Sequence, residues 1–149
     1  MSIMNIDQEI KTAMLAKDPI RLLAVKAIKN AFTLAKTEKG ATGELTPEQE
    51  IKIIQKLCTQ RKESYKIFSK ENRPELAEKE KAELEILETF LPAQLSDDEL
   101  KSIINEQVSI LGATSIKDMG KVIGAVSKKV AGQAEGARIS KMVKDLLTI

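Results

Sequence analysis

Phe90-Leu91-Pro92-Ala93-Gln94-Leu95-Ser96-Asp97-Asp98-Glu99 decides how this 149-residue chain is organised. A long helical pattern reaches Phe90 and cannot pass Pro92, which lacks an N–H and pushes Leu91 out of the helical region. Beyond it, Ser96 and Glu99 have the spacing of a capping box, with Asp97 and Asp98 in the first turn of a new helix. The stretch predicts an N-terminal helical domain, residues 1–90, and a C-terminal domain, residues 91–149. Leu91 and Pro92 begin a hinge that runs to residue 95.

Upstream, the pattern gives four helices. Asp7 to Ala16 is short and amphipathic. Asp18-Pro19 supplies the cap and first position of the second helix, Ile20 to Lys39, which Gly40 would end. Its apolar side is Leu22, Val25, Ile28 and Phe32, and Lys26, Lys29, Thr33 and Lys36 are expected on an opposite, solvated arc. After the polar loop Lys39 to Leu45, Thr46-Pro47-Glu48-Gln49 opens a third helix reaching Lys70. Ile51, Ile54, Leu57, Cys58, Tyr65 and Phe68 form its apolar arc. Asn72-Arg73-Pro74 turns into the fourth helix, Glu75 to Phe90, whose Leu76, Leu84, Leu87 and Phe90 share a face. The third and fourth helices should pair as an antiparallel hairpin. Arg61 interrupts the apolar arc of the third, and Glu80 and Glu83 that of the fourth. Since a buried charge needs a partner, Arg61 is expected buried in a structural ion pair with Glu83, or with Glu80 one turn away.

Downstream, a fifth helix spans Asp97 to Leu111 and ends at Gly112. Ser115-Ile116-Lys117-Asp118 has the capping-box form and should open a sixth. Its Ile116, Met119, Val122, Ile123, Val126 and Val130 fall within about 120° of one another. Lys117, Gly120, Lys121, Gly124 and Lys128 take the other side. A final helix, Ala137 to Leu147, buries Ile139, Met142, Val143, Leu146 and Leu147 and should present Arg138, Lys141 and Lys144 outward. The fold class is therefore all-α: a helical N-terminal part containing a hairpin, and a small three-helix tail.

Composition narrows the chemistry. The chain has no histidine and one cysteine, Cys58, so the commonest general base is missing and neither a zinc cluster nor an internal disulfide can form. Gly120-Lys121 lacks the preceding glycine and the following Ser or Thr of a phosphate-binding loop. No catalytic residues, metal site or cofactor are expected. No stretch approaches the roughly 20 apolar residues of a membrane span and none has signal-peptide form, so a cytoplasmic protein without a membrane partner is expected.

Net charge is only +2, but its distribution is uneven. Ala113 to Ile149 holds seven basic and three acidic residues, whereas Pro74 to Phe90 holds two and six. A basic face with bare glycine backbone suits phosphate contacts. The candidate nucleic-acid-binding residues are Lys117, Gly120, Lys121, Gly124, Lys128, Lys129, Arg138 and Lys141. The competing reading is a solvated lysine face whose glycines pack helix on helix. With four aromatic residues in all, an aromatic platform for unpaired bases is absent, which favours a folded RNA backbone.

Gln60-Arg61-Lys62-Glu63-Ser64, Glu80-Lys81-Ala82-Glu83-Leu84-Glu85, the Phe90 to Ser96 stretch and Asp118-Met119-Gly120-Lys121-Val122-Ile123 together resemble the YqeY family, over essentially the whole chain. That family shares a tail domain with the GatB subunit of the tRNA-dependent amidotransferase, where the tail grips the tRNA elbow and catalysis resides in domains this chain lacks. The resemblance implies a helical accessory protein that binds tRNA or another structured RNA. The alternatives are a helical adaptor docking on an aminoacylation or amidotransferase complex through its acidic fourth and fifth helices, and a carbon–nitrogen ligase with glutamine as amido donor.

Overall fold

In the computed structural model, which describes residues 3–38 and 43–148, every regular element among the described residues is helical. The α-helices are α1 (Ile6–Leu15), α2 (Pro19–Thr37), α3 (Pro47–Lys70), α4 (Pro74–Glu88), α5 (Asp97–Leu111), α6 (Met119–Val130) and α7 (Gly136–Leu147). The expected stop at Gly40, and residues 39–42 of the polar loop, lie outside the described residues. The chain divides into two compact units, Met1–Leu91 and Pro92–Ile149.

In the first unit each helix starts on a local signal. The Asn5 carboxamide oxygen accepts from Gln8 N–H at 3.1 Å and the Asp18 carboxylate from Arg21 N–H at 3.0 Å. Thr46 and Gln49 cap each other's backbone reciprocally, at 3.2 and 2.8 Å. α3 and α4 form the extensive hairpin, turning through Asn72 at φ +56°. α4 stops at Glu88, short of the expected Phe90, whose ring still packs against the core. That core is Ala24, Ile28 and Phe32 of α2, Ile54 and Cys58 of α3, and Leu87 of α4. Cys58 acts as a small buried hydrophobe.

α2 departs from expectation on its outer side. Its buried residues are Ala24, Val25, Ile28 and Phe32, because α1, α3 and α4 all pack there. At 100° per residue, Lys29 and Lys36 border this side instead of opposing it, while Lys26 opposes it as expected, together with Leu23, Asn30 and Leu34. Leu23 is 45% and Leu34 67% exposed.

In the second unit, Ser96 and Glu99 form the reciprocal cap of α5, which ends at Gly112 in the left-handed region, φ +66°. The Asp118 carboxylate turns back to accept from the N–H groups of Thr114 (3.0 Å) and Ser115 (3.4 Å), but the turn it closes is 3-10, Ile116–Asp118, and α6 begins only at Met119. A 3-10 turn advances about 120° per residue, so Ile116 leaves the α6 apolar phase and stands 43% exposed, not buried as expected. The core joins Leu100 and Ile104 of α5, Val122, Val126 and Val130 of α6, Ala134, and Ile139 and Val143 of α7. Leu95 N–H donates to Gln133 O at 2.9 Å and the Gln94 amide to Gly132 O at 3.0 Å, which ties both residues to this unit.

Candidate nucleic-acid interface

Burial of Val122, Val126 and Val130 fixes the rotation of α6, and the same rotation turns Gly120, Lys121, Gly124 and Lys128 to solvent. A Cβ built on Gly120 or Gly124 would meet nothing within 4 Å. These glycines therefore do not serve helix-on-helix packing inside the unit; they leave a strip of bare backbone. Lys117, in the 3-10 turn, is exposed beside it. Among the described residues, Lys117, Lys121 and Lys128 form no ion pair within 4 Å. Lys141 is exposed on α7.

The other two basic candidates are engaged. Lys129 Nζ lies 3.5 Å from Glu106 Oε1, both side chains about half exposed. Arg138 does not point outward as expected. Its Nη2 donates to Leu95 O at 2.7 Å and its Nε to Asp97 Oδ1 at 3.0 Å, so it fastens the first turn of α7 to the start of α5. Asp97 offers a carboxylate at a helix N-terminus, and the guanidinium completes the pair. Nothing in the local sequence marks this contact, because Asp97 and Arg138 are 41 residues apart.

One acid stands among the lysines. The backbone N–H of Thr114 holds Asp118 below its ordinary pKa, helped by Ser115 N–H and by the charge of Lys121, so it stays an anion that screens part of the basic face.

In the first unit, Arg61 Nε is 2.7 Å from Glu83 Oε2 and 3.6 Å from Glu80 Oε2. Glu83 is buried, but Arg61 keeps 23% side-chain exposure, which corrects the expectation of full burial: the hairpin is open enough at this level for its outer edge to meet water. The Nε–H is not aligned for a hydrogen bond, and Glu80 Oε2 likewise makes none. Glu50, unnoticed in the sequence, is also buried, and its Oε1 accepts from Ile3 N–H at 2.9 Å. Leu91 packs against the core of the first unit, and the Pro92 carbonyl accepts from the Gln94 side chain at 2.8 Å. Among the described residues no three His, Cys, Asp or Glu side chains are grouped to hold a metal ion. No described helix is long and apolar enough to cross a membrane.

The chain thus carries an exposed cationic strip on one helical unit and an ionic cluster inside the hairpin of the other. The sequence matches the Yqey-like protein family over residues 3–147, and the chain belongs to that family. It is similar to "Altered inheritance of mitochondria protein 41, mitochondrial" of Lachancea thermotolerans, 34% identical over 60% of this chain and 48% of that protein. It is also similar to proteins of the same name from Vanderwaltozyma polyspora (30% identical, 79% of this chain, 66% of that protein) and Clavispora lusitaniae (26%, 82% and 69%). The chain spans about half to two thirds of the length of these relatives.

Proposed function

We propose that the protein is an RNA-binding accessory factor whose C-terminal unit contacts the phosphate backbone of a structured RNA, with tRNA as the class. The observation that carries this reading is the strip of Gly120 and Gly124, with open space at both Cβ positions, between the exposed Lys117, Lys121 and Lys128. Lysines supply the attraction, and the absent side chains let a backbone come close. The resemblance to the amidotransferase tail supports tRNA over other RNAs. In this reading the protein carries no amide-transfer chemistry of its own, and it works in the cytoplasm, where the lone thiol of Cys58 stays reduced. The mitochondrial assignment in the relatives' names is a statement about those proteins.

The test is titration of the purified full chain with total tRNA at two salt concentrations. The expected result is binding that weakens steeply as salt rises. Absence of binding at low salt would overturn the reading and leave a protein-docking role for the acidic α4 and α5.

A further inference from the structure

The outer face of α2 is the feature that RNA binding leaves unused. Leu23, Asn30 and Leu34 fall within about 40° of one another on the side away from the core, with Ala27 completing the row of i, i+4, i+7 and i+11 positions. Large exposed leucines close each end, and the small Ala27 and short Asn30 lie between them. Isolated exposed leucines need no explanation. Two on one row, directly opposite a helix's own core, form an apolar strip about three turns long, the footprint of a second helix.

Charge says which helix. α2 contains no acidic residue and four basic ones. Arg21 and Lys29 are drawn to Glu9 and Asp7 of α1, at 3.0 and 3.2 Å. Among the described residues, no carboxylate lies within 4 Å of Lys26, which borders the strip, or of Lys36, which lies further round. A second copy of α2 is a poor occupant, because α2 has no carboxylate to set against the Lys26 edge. We propose that the α2 face docks an amphipathic helix of another protein, whose apolar ridge lies between Leu23 and Leu34 and whose carboxylates run along the Lys26 edge.

The probe is a labelled amphipathic peptide of about 18 residues, with leucines at helical spacing and glutamates on both flanks, compared with the same peptide carrying lysines. Binding to the full chain is read by fluorescence anisotropy. The expected result is that the parent prefers the acidic peptide, that Leu23→Ser with Leu34→Ser weakens binding by at least about tenfold, and that Lys26→Glu cuts the preference for the acidic peptide. Both leucines face solvent, so circular dichroism should show the variants folded, and Leu34→Gln alone serves as a milder check. The proposal fails if the parent binds neither peptide or if the serine variant binds as the parent does. A dimer in sedimentation that disappears with the two leucines would replace the partner helix by a second copy. Leucine-dependent binding to anionic phosphatidylserine vesicles would replace it by a membrane surface.

Discussion

Arg61 Nε stands 2.7 Å from Glu83 Oε2 and 3.6 Å from Glu80 Oε2, so one guanidinium faces two carboxylates across the α3–α4 hairpin. The cluster holds one positive charge and two negative ones in a setting where Glu83 is buried and the other two groups are mostly covered. Such a group holds the register of the hairpin through complementarity, and it is vulnerable to losing its single cation.

Arg61→Ala is therefore expected to destabilise the protein by about 3 kcal/mol, the low end for a broken buried pair because Arg61 keeps some water contact. Arg61→Met combined with Glu83→Leu should recover much of the loss, since it removes the stranded charge as well. Urea unfolding of the three proteins checks this. If Arg61→Ala leaves the midpoint unchanged and removes a binding activity, Arg61 belongs to a working surface.

Arg138→Ala should act on stability and not on the salt dependence of RNA binding. Its guanidinium serves Leu95 O and Asp97 Oδ1 inside the second unit, and loss of hydrogen bonds from a charged group costs about 1.5–3 kcal/mol. Arg138→Lys should restore little, because lysine cannot make both hydrogen bonds in one plane. Thermal melts alongside a tRNA salt titration separate the two effects.

The two capping carboxylates of the second unit give a pH dependence. Glu99 is held below its ordinary pKa first by Ser96 N–H and then by the Ser96 hydroxyl, and Asp118 chiefly by Thr114 N–H. A carboxylate with a lowered folded-state pKa contributes stability that is fully present above its unfolded value and is lost as pH falls through the folded one. Melting temperature should thus be level above about pH 5 and decline below about pH 4. Glu99→Gln with Asp118→Asn should flatten that decline, which melts between about pH 3 and pH 7 would reveal.

What the sequence made legible follows the range of each interaction. The caps at Asp18, Thr46 and Ser96 lie within three residues of the groups they bind, so their spacing announces them. The ion cluster was legible because Arg61, Glu80 and Glu83 break apolar arcs that periodicity defines. The outward leucines of α2 were not: hydrophobicity assigns leucine to a core, and the buried side of α2 is set by where α1, α3 and α4 pack. Arg138 was misplaced for a similar reason, since its partner arrives from another helix. The 3-10 turn at Ile116 was hidden because a capping-box spacing does not distinguish a 3-10 start from an α start.

The basic strip of α6 yields the sharpest test of the RNA reading, because its two parts separate. Lys121→Ala with Lys128→Ala removes two exposed charges that no carboxylate among the described residues holds. Affinity for tRNA should fall, and the slope of log affinity against log salt should drop by roughly one unit for each phosphate that is no longer neutralised. Gly124→Leu changes no charge. A Cβ there meets nothing within 4 Å, so the unit has room for the new side chain and its helix content should hold or rise. If a phosphate backbone lies against that strip, leucine holds it away, so affinity drops with the salt slope little changed. Affinity and slope measured for each variant give a pattern that nonspecific cation loss cannot produce. Parent-like binding by both variants would remove α6 from the interface and return the question to the helix-docking surface of α2.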